Sequence, residues 1–143
     1  SIHFFDFQGQ FFSIALAIGL VQIMFGMVLK IVMISSTAAK NVNLGASPSY
    51  GASKAGMVYL TRHLAAEFGS HSIYANSICP GPVDTEITRT WTPEHRQKVL
   101  QSLPLGRMGT PEDIANCALF LASSMSDYIN GESILVNGGR YMD

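Results

Sequence analysis

Tyr50 and Lys54 are the two residues whose types and spacing most directly suggest chemistry. On a helix, residues four apart share a face, so the phenol and the ammonium point the same way. A free tyrosine, with a pKa of about 10, is a poor base at neutral pH. A cation held close favours the phenolate. Such a pair can give a proton to a carbonyl oxygen or take one from an alcohol. The same spacing is common on solvated helix faces, so its meaning depends on what surrounds it.

The surrounding elements read as alternating strands and helices. Val28-Leu29-Lys30-Ile31-Val32-Met33-Ile34 is rich in branched residues and predicts a buried parallel strand over about 29–35. From Ser35 to Ser49 the residues are small and polar, as in a loop. A helix over about 50–68 follows, with Met57, Leu60, Leu64 and Phe68 as its apolar face and Gly69 closing it. Ile73 to Cys79 predicts the next strand, stopped by Pro80-Gly81-Pro82. Strand, helix and strand in that order imply a parallel sheet. Thr92-Pro93 opens a short helix over about 93–102. Thr110, Pro111 and Asp113 carry the start signals of another over about 111–122, with Ile114, Cys117, Ala118 and Leu121 as its buried stripe. Asn130-Gly131 turns the chain into a last strand over about 132–136, before Asn137-Gly138-Gly139. Neither an internal repeat nor a dividing linker interrupts the 143 residues, so one domain is expected.

Composition narrows the function classes. The hydrophobic fraction is 48%, while charged residues make up 13%, about half the usual share. Low charge suggests surface covered by other subunits or by further parts of the domain. A formal net charge of -1 and the lack of basic runs leave no footprint for nucleic acid. Cys79 and Cys117 show no paired spacing and suggest reduced thiols. His3, His63, His71 and His95 are scattered, so no metal site is expected. Phe11 to Leu29 contains no charged residue and is long enough, at about 20 residues, to cross a bilayer. The alternative is a buried helix over about 8–25 followed by the first strand, with Gly26 at the turn. Lys30 alone gives little orientation signal, and the opening Ser1-Ile2-His3-Phe4-Phe5-Asp6 lacks the positive charge of a secretory leader. The expectation is a cytoplasmic protein without a membrane span.

Several segments resemble, in order, the C-terminal portion of the short-chain dehydrogenase/reductase family. They are Ile34-Ser35-Ser36, Tyr50-Gly51-Ala52-Ser53-Lys54-Ala55-Gly56 and Asn76 through Thr85, then Leu105 through Asp113 and Gly131 through Gly139. The resemblance implies part of a doubly wound, Rossmann-type α/β sheet and an NAD(P)-dependent oxidoreductase interconverting a secondary alcohol and a ketone. It makes Ser36 the serine that hydrogen-bonds the substrate oxygen, with Ser35 the secondary candidate. It makes Tyr50 the acid/base and Lys54 the group that assists it and holds the nicotinamide ribose. Pro80, Gly81, Val83 and Thr85 fall in the loop that lies against the nicotinamide. The segment from Ile87 to Gln101, with Trp91, corresponds to the variable wall of the substrate pocket. A homodimer or homotetramer is implied, with Phe11, Phe12, Ile14, Ile18 and Val21 as apolar contacts.

Two departures accompany the resemblance. The family's helix asparagine is matched by Asp6, or by Gln8 in a shifted alignment, and an Asp would add negative charge near Lys54. The 143 residues also contain no GxGxxG or TGxxxGxG turn, so the adenosine-side anchor and the residue that selects NAD or NADP are missing. The domain is therefore expected to be incomplete over 1–143. A catalytically inactive remnant that acts through subunit association is the alternative reading.

Overall fold

The computed structural model describes residues 28–143. The expected helix over 8–25, the Phe11 to Leu29 run up to residue 27, Asp6, Gln8 and the proposed contacts from Phe11 to Val21 lie outside the described residues.

Three parallel strands form the sheet in chain order: β1 (Leu29–Ile34), β2 (Ile73–Pro80) and β3 (Ser133–Val136). β1 pairs with β2 from Leu29↔Ile73 to Ile34↔Ile78, and β2 pairs with β3 from Ser77↔Ser133 to Pro80↔Val136. Parallel neighbours need a crossover between them. Helix α1 (Pro48–Phe68) supplies the first. The second contains α2 (Glu86–Arg89), α3 (Pro93–Gln101) and α4 (Pro111–Ala122). The result is the parallel α/β sheet that the sequence predicts.

Side-chain alternation along β1 divides the packing between two faces. Ile31 and Met33 of β1, with Leu60 and Phe68 of α1, pack against the buried cluster of Leu64 and Ala65 of α1 and Ala75 of β2. On the other side, the Lys30 ammonium meets the Asp127 carboxylate at 2.7 Å and the Ser126 hydroxyl at 3.1 Å, just beyond α4. It also lies 4.9 Å from the centre of the Tyr74 ring. Lys30 is thus a packed strut within the fold. A second cluster of Val99, Leu103 and Met108, with Trp91 and Leu100 against it, seats α3.

Helix starts follow the side chains that cap them. Ser47 accepts from the Tyr50 N–H at 3.3 Å, so α1 begins at Pro48, two residues before the predicted start. Thr92 caps α3, and Thr110 and Asp113 bond reciprocally at the start of α4. The end of α1 differs from expectation. Gly69 remains right-handed and passes into a 3-10 turn, Gly69–His71, while Ser72 adopts φ 57°. Gly69 is small for a packing reason, because a Cβ there would meet the Asn130 Nδ2 at 3.0 Å. β2 also runs one residue past its predicted end, through Pro80.

Candidate functional site

The C-terminal ends of β1 and β2 lie side by side and carry most of the expected site residues. Beyond β1, Ser35 is buried and its hydroxyl donates to the Lys54 carbonyl at 2.9 Å. Ser36 begins a 3-10 turn, Thr37–Ala39, and its hydroxyl oxygen accepts from the Ala38 N–H at 3.2 Å. A hydroxyl has one proton to donate and two lone pairs. Ser36 therefore keeps an O–H that can reach a substrate oxygen, whereas the Ser35 proton is committed to the framework.

Lys54 joins α1 to the same strand end. Its ammonium donates to the Ile34 carbonyl at 3.0 Å and lies 5.7 Å from the centre of the Tyr50 ring. Since the Lys54 backbone also accepts from Ser35, one residue fixes the helix to β1 through two bonds. An ammonium has three protons, and with the Met57 sulfur at 3.9 Å as a second, weak acceptor one donor remains for a ribose hydroxyl. Tyr50 is 42% exposed and its ring is accessible. Beneath this corner lies Cys79, fully buried in β2. Burial pushes its thiol pKa up, with a hydrogen bond to Ser35 and the charge of Lys40 working against that rise.

The loop after β2 is braced along its length. The Gly81 N–H donates to Val136 O at 3.0 Å, and a Cβ at Gly81 would lie 2.8 Å from the Asn137 Cα. Pro80-Gly81 is therefore a site of close backbone approach to the end of β3 as well as a strand stop. Val83 bridges to Gly109, and the Asp84 N–H donates to Gly109 O at 2.8 Å. The Thr85 N–H donates to the buried Thr88 hydroxyl at 2.9 Å, and that hydroxyl reaches Val83 O at 3.1 Å. Thr88, which sequence reasoning passed over, thus ties Val83 and Thr85 together.

Two ion pairs lock the neighbouring helices. Arg96 of α3 donates to the Asp84 carboxylate at 2.9 Å, and this bond holds the Asp84 pKa below the ordinary carboxylate range. Arg107 donates to both Asp113 oxygens, at 2.6 and 3.1 Å, which places that carboxyl far below its usual range. Trp91 stands edge-on to His95 at 4.8 Å, at the start of α3. No group of acidic, His or Cys side chains among the described residues has the arrangement of a metal site. No described helix is long and apolar enough to cross a membrane.

A parallel α/β sheet with a serine turn, a Tyr/Lys helix and a Pro-Gly loop at adjacent strand ends is the arrangement of part of a Rossmann-type α/β fold. Residues 7–140 match the family described as enoyl-(acyl carrier protein) reductase, and the chain belongs to the short-chain dehydrogenase/reductase family. It is 40% identical over 112 residues to the 3-oxoacyl-[acyl-carrier-protein] reductase FabG of Aquifex aeolicus, covering 78% of this chain and 45% of that one. It is 44% identical over 112 residues to the (3R)-3-hydroxyacyl-CoA dehydrogenase of Rattus norvegicus, covering 78% and 43%. The chain spans less than half the length of these relatives. Among solved structures, a putative 2-deoxy-d-gluconate 3-dehydrogenase from Agrobacterium tumefaciens with bound NADP superposes with a TM-score of 0.79 at 34% identity. That match covers 88% of this chain and 52% of the other. A 3-oxoacyl-[acyl-carrier protein] reductase from Brucella melitensis with bound NAD gives 0.72 at 35% identity, covering 78% and 40%.

Proposed function

We propose that this chain supplies the catalytic half of an NAD(P)-dependent oxidoreductase that interconverts a secondary alcohol and a ketone. The observation that carries this reading is the position of Lys54. Its ammonium lies beside the Tyr50 ring and is bonded to the strand end that leads into Ser36. The bound nicotinamide would supply or take the hydride. In reduction, the Tyr50 phenol gives its proton to the carbonyl oxygen, and in oxidation its phenolate takes the proton back. Ser36 donates a hydrogen bond to the same oxygen. Lys54 sets a positive charge beside the Tyr50 ring and offers its remaining proton to a ribose hydroxyl. The donors fit the nicotinamide side of NAD or NADP, with Pro80, Gly81, Val83 and Thr85 lining the approach. The names of the curated relatives point to a 3-oxo or 3-hydroxyacyl group as the substrate class. A cytoplasmic homodimer or homotetramer belongs to the same reading, and light scattering tests the assembly.

The decisive experiment is Tyr50→Phe in a chain that carries an upstream strand and glycine-rich turn, followed by carbonyl-dependent loss of reduced nicotinamide absorbance. General acid–base catalysis contributes about 100- to 10,000-fold, so turnover should fall by that order. Retained turnover removes Tyr50 from its role. A chain that binds no cofactor but assembles stably supports the inactive-remnant alternative.

A further inference from the structure

We propose that residues 137–143 form a strap across the two halves of the candidate site, closed by Lys40 and Asp143. The proposal deepens the functional reading, because Lys40 and Asp143 become positioning residues for Ser36. At one end, the strap begins where Asn137 abuts Gly81 of the Pro-Gly loop. Gly138 and Gly139 then adopt φ 64° and 81°, left-handed conformations that allow the chain to reverse. Asn137 braces this reversal from both ends of its amide. Its Oδ1 accepts from the Gly139 N–H at 2.9 Å, and its Nδ2 donates to Tyr141 O at 2.6 Å.

At the other end, Asp143 pairs with the Lys40 ammonium and also bonds the Tyr141 side chain. The Lys40 side chain is only 11% exposed. A charge withdrawn that far from water needs a partner. Lys40 is also the last residue of the turn that begins at Ser36. The Ala39 N–H donates to Ser36 O at 3.0 Å, and the Lys40 N–H donates to Thr37 O at 3.1 Å. A turn this short transmits a shift at Lys40 to the Ser36 hydroxyl. The surrounding cleft, about 440 Å³, is also lined by Tyr59 and Arg62, and the Arg62 charge favours the ionised Asp143. The strap thus fixes the Ser36 turn relative to the Gly81 loop.

Amide hydrogen exchange in the 143-residue chain tests this without any cofactor. Asp143→Asn and Lys40→Met should each accelerate exchange at Ala39 and Lys40 roughly tenfold, while the Ala75 and Ser77 amides of β2 stay unchanged. The double variant should match the single ones, and Lys40→Arg should remain near wild type. Unchanged exchange in Asp143→Asn, additive effects in the double variant, or equal acceleration in β2 would each overturn the strap. In an extended chain that turns over, Asp143→Asn should lower kcat and leave the cofactor KM unchanged. A rise in that KM with kcat unchanged would overturn the positioning role. Failure of cofactor binding would sink the functional reading alone, because the exchange result stands without it.

Discussion

The neighbouring serines show how position along one turn separates two chemically identical side chains. The Ser35 proton is used on the Lys54 carbonyl, whereas the Ser36 hydroxyl accepts a backbone bond and keeps its proton for another acceptor. Neither assignment is visible in the dipeptide, because the Ser35 acceptor lies on a helix further along the chain and the Ser36 bond exists only once the following turn has formed. Gly81 carries a different constraint. A Cβ would lie 2.8 Å from both the Cα and the Cβ of Asn137, and backbone at that distance cannot rotate aside. Gly81→Ala should therefore cost about 1–3 kcal/mol, the usual range for overpacking, measured as a lowered midpoint in urea unfolding. An unchanged midpoint would show that the end of β3 can yield.

At the scale of elements, the loop after β2 and helix α3 are coupled through Asp84 and Arg96. Because Arg96 lowers the Asp84 pKa, the pair stabilises the fold above the ordinary carboxylate value of about 3.9. That contribution is lost as pH falls through the lower folded value. Trp91, the one tryptophan of the chain, stands at the start of α3 and reports on its seating. Its emission should shift in acid below about pH 4. Arg96→Gln should reduce the acid transition, and an identical transition in that variant would assign it to other carboxylates. The element sequence was largely legible, since Ser, Thr and Pro at helix starts and β-branched runs in strands act locally. Thr110 and Asp113 could be paired from their spacing alone. Lys40 and Asp143 could not, because 103 residues separate them and only the strand order brings them together.

For the whole molecule, the two cysteines report on how the packing is distributed. Cys79 is fully buried in β2, while Cys117 on α4 is partly covered. Burial raises both thiol pKa values, which keeps the reactive thiolate scarce at neutral pH. A thiol reagent under native conditions should modify Cys117 first and reach Cys79 only with denaturant. Equal rates would show that the sheet opens as readily as the helix layer. The motifs in the sequence located the candidate site at two strand ends. They did not reveal what holds those ends in place, because Asn76 and Asn130 act through bonds to distant backbone that no local spacing encodes. Asn130 shows the limit well. It reads as a turn residue beside Gly131, yet its amide also bonds Ala75 N and Ala65 O.

Among the described strands, β2 alone is paired on both sides, and Ala75, Ile78 and Cys79 within it are fully buried. β1 has a single described neighbour and ends at the half-exposed Ile34. Local opening follows such differences in burial and pairing. Gly81 therefore extends from a strand that is buried and paired along both edges. That wall of the cleft serves as a fixed reference, so a molecule arriving at the glycine side would meet a preset surface.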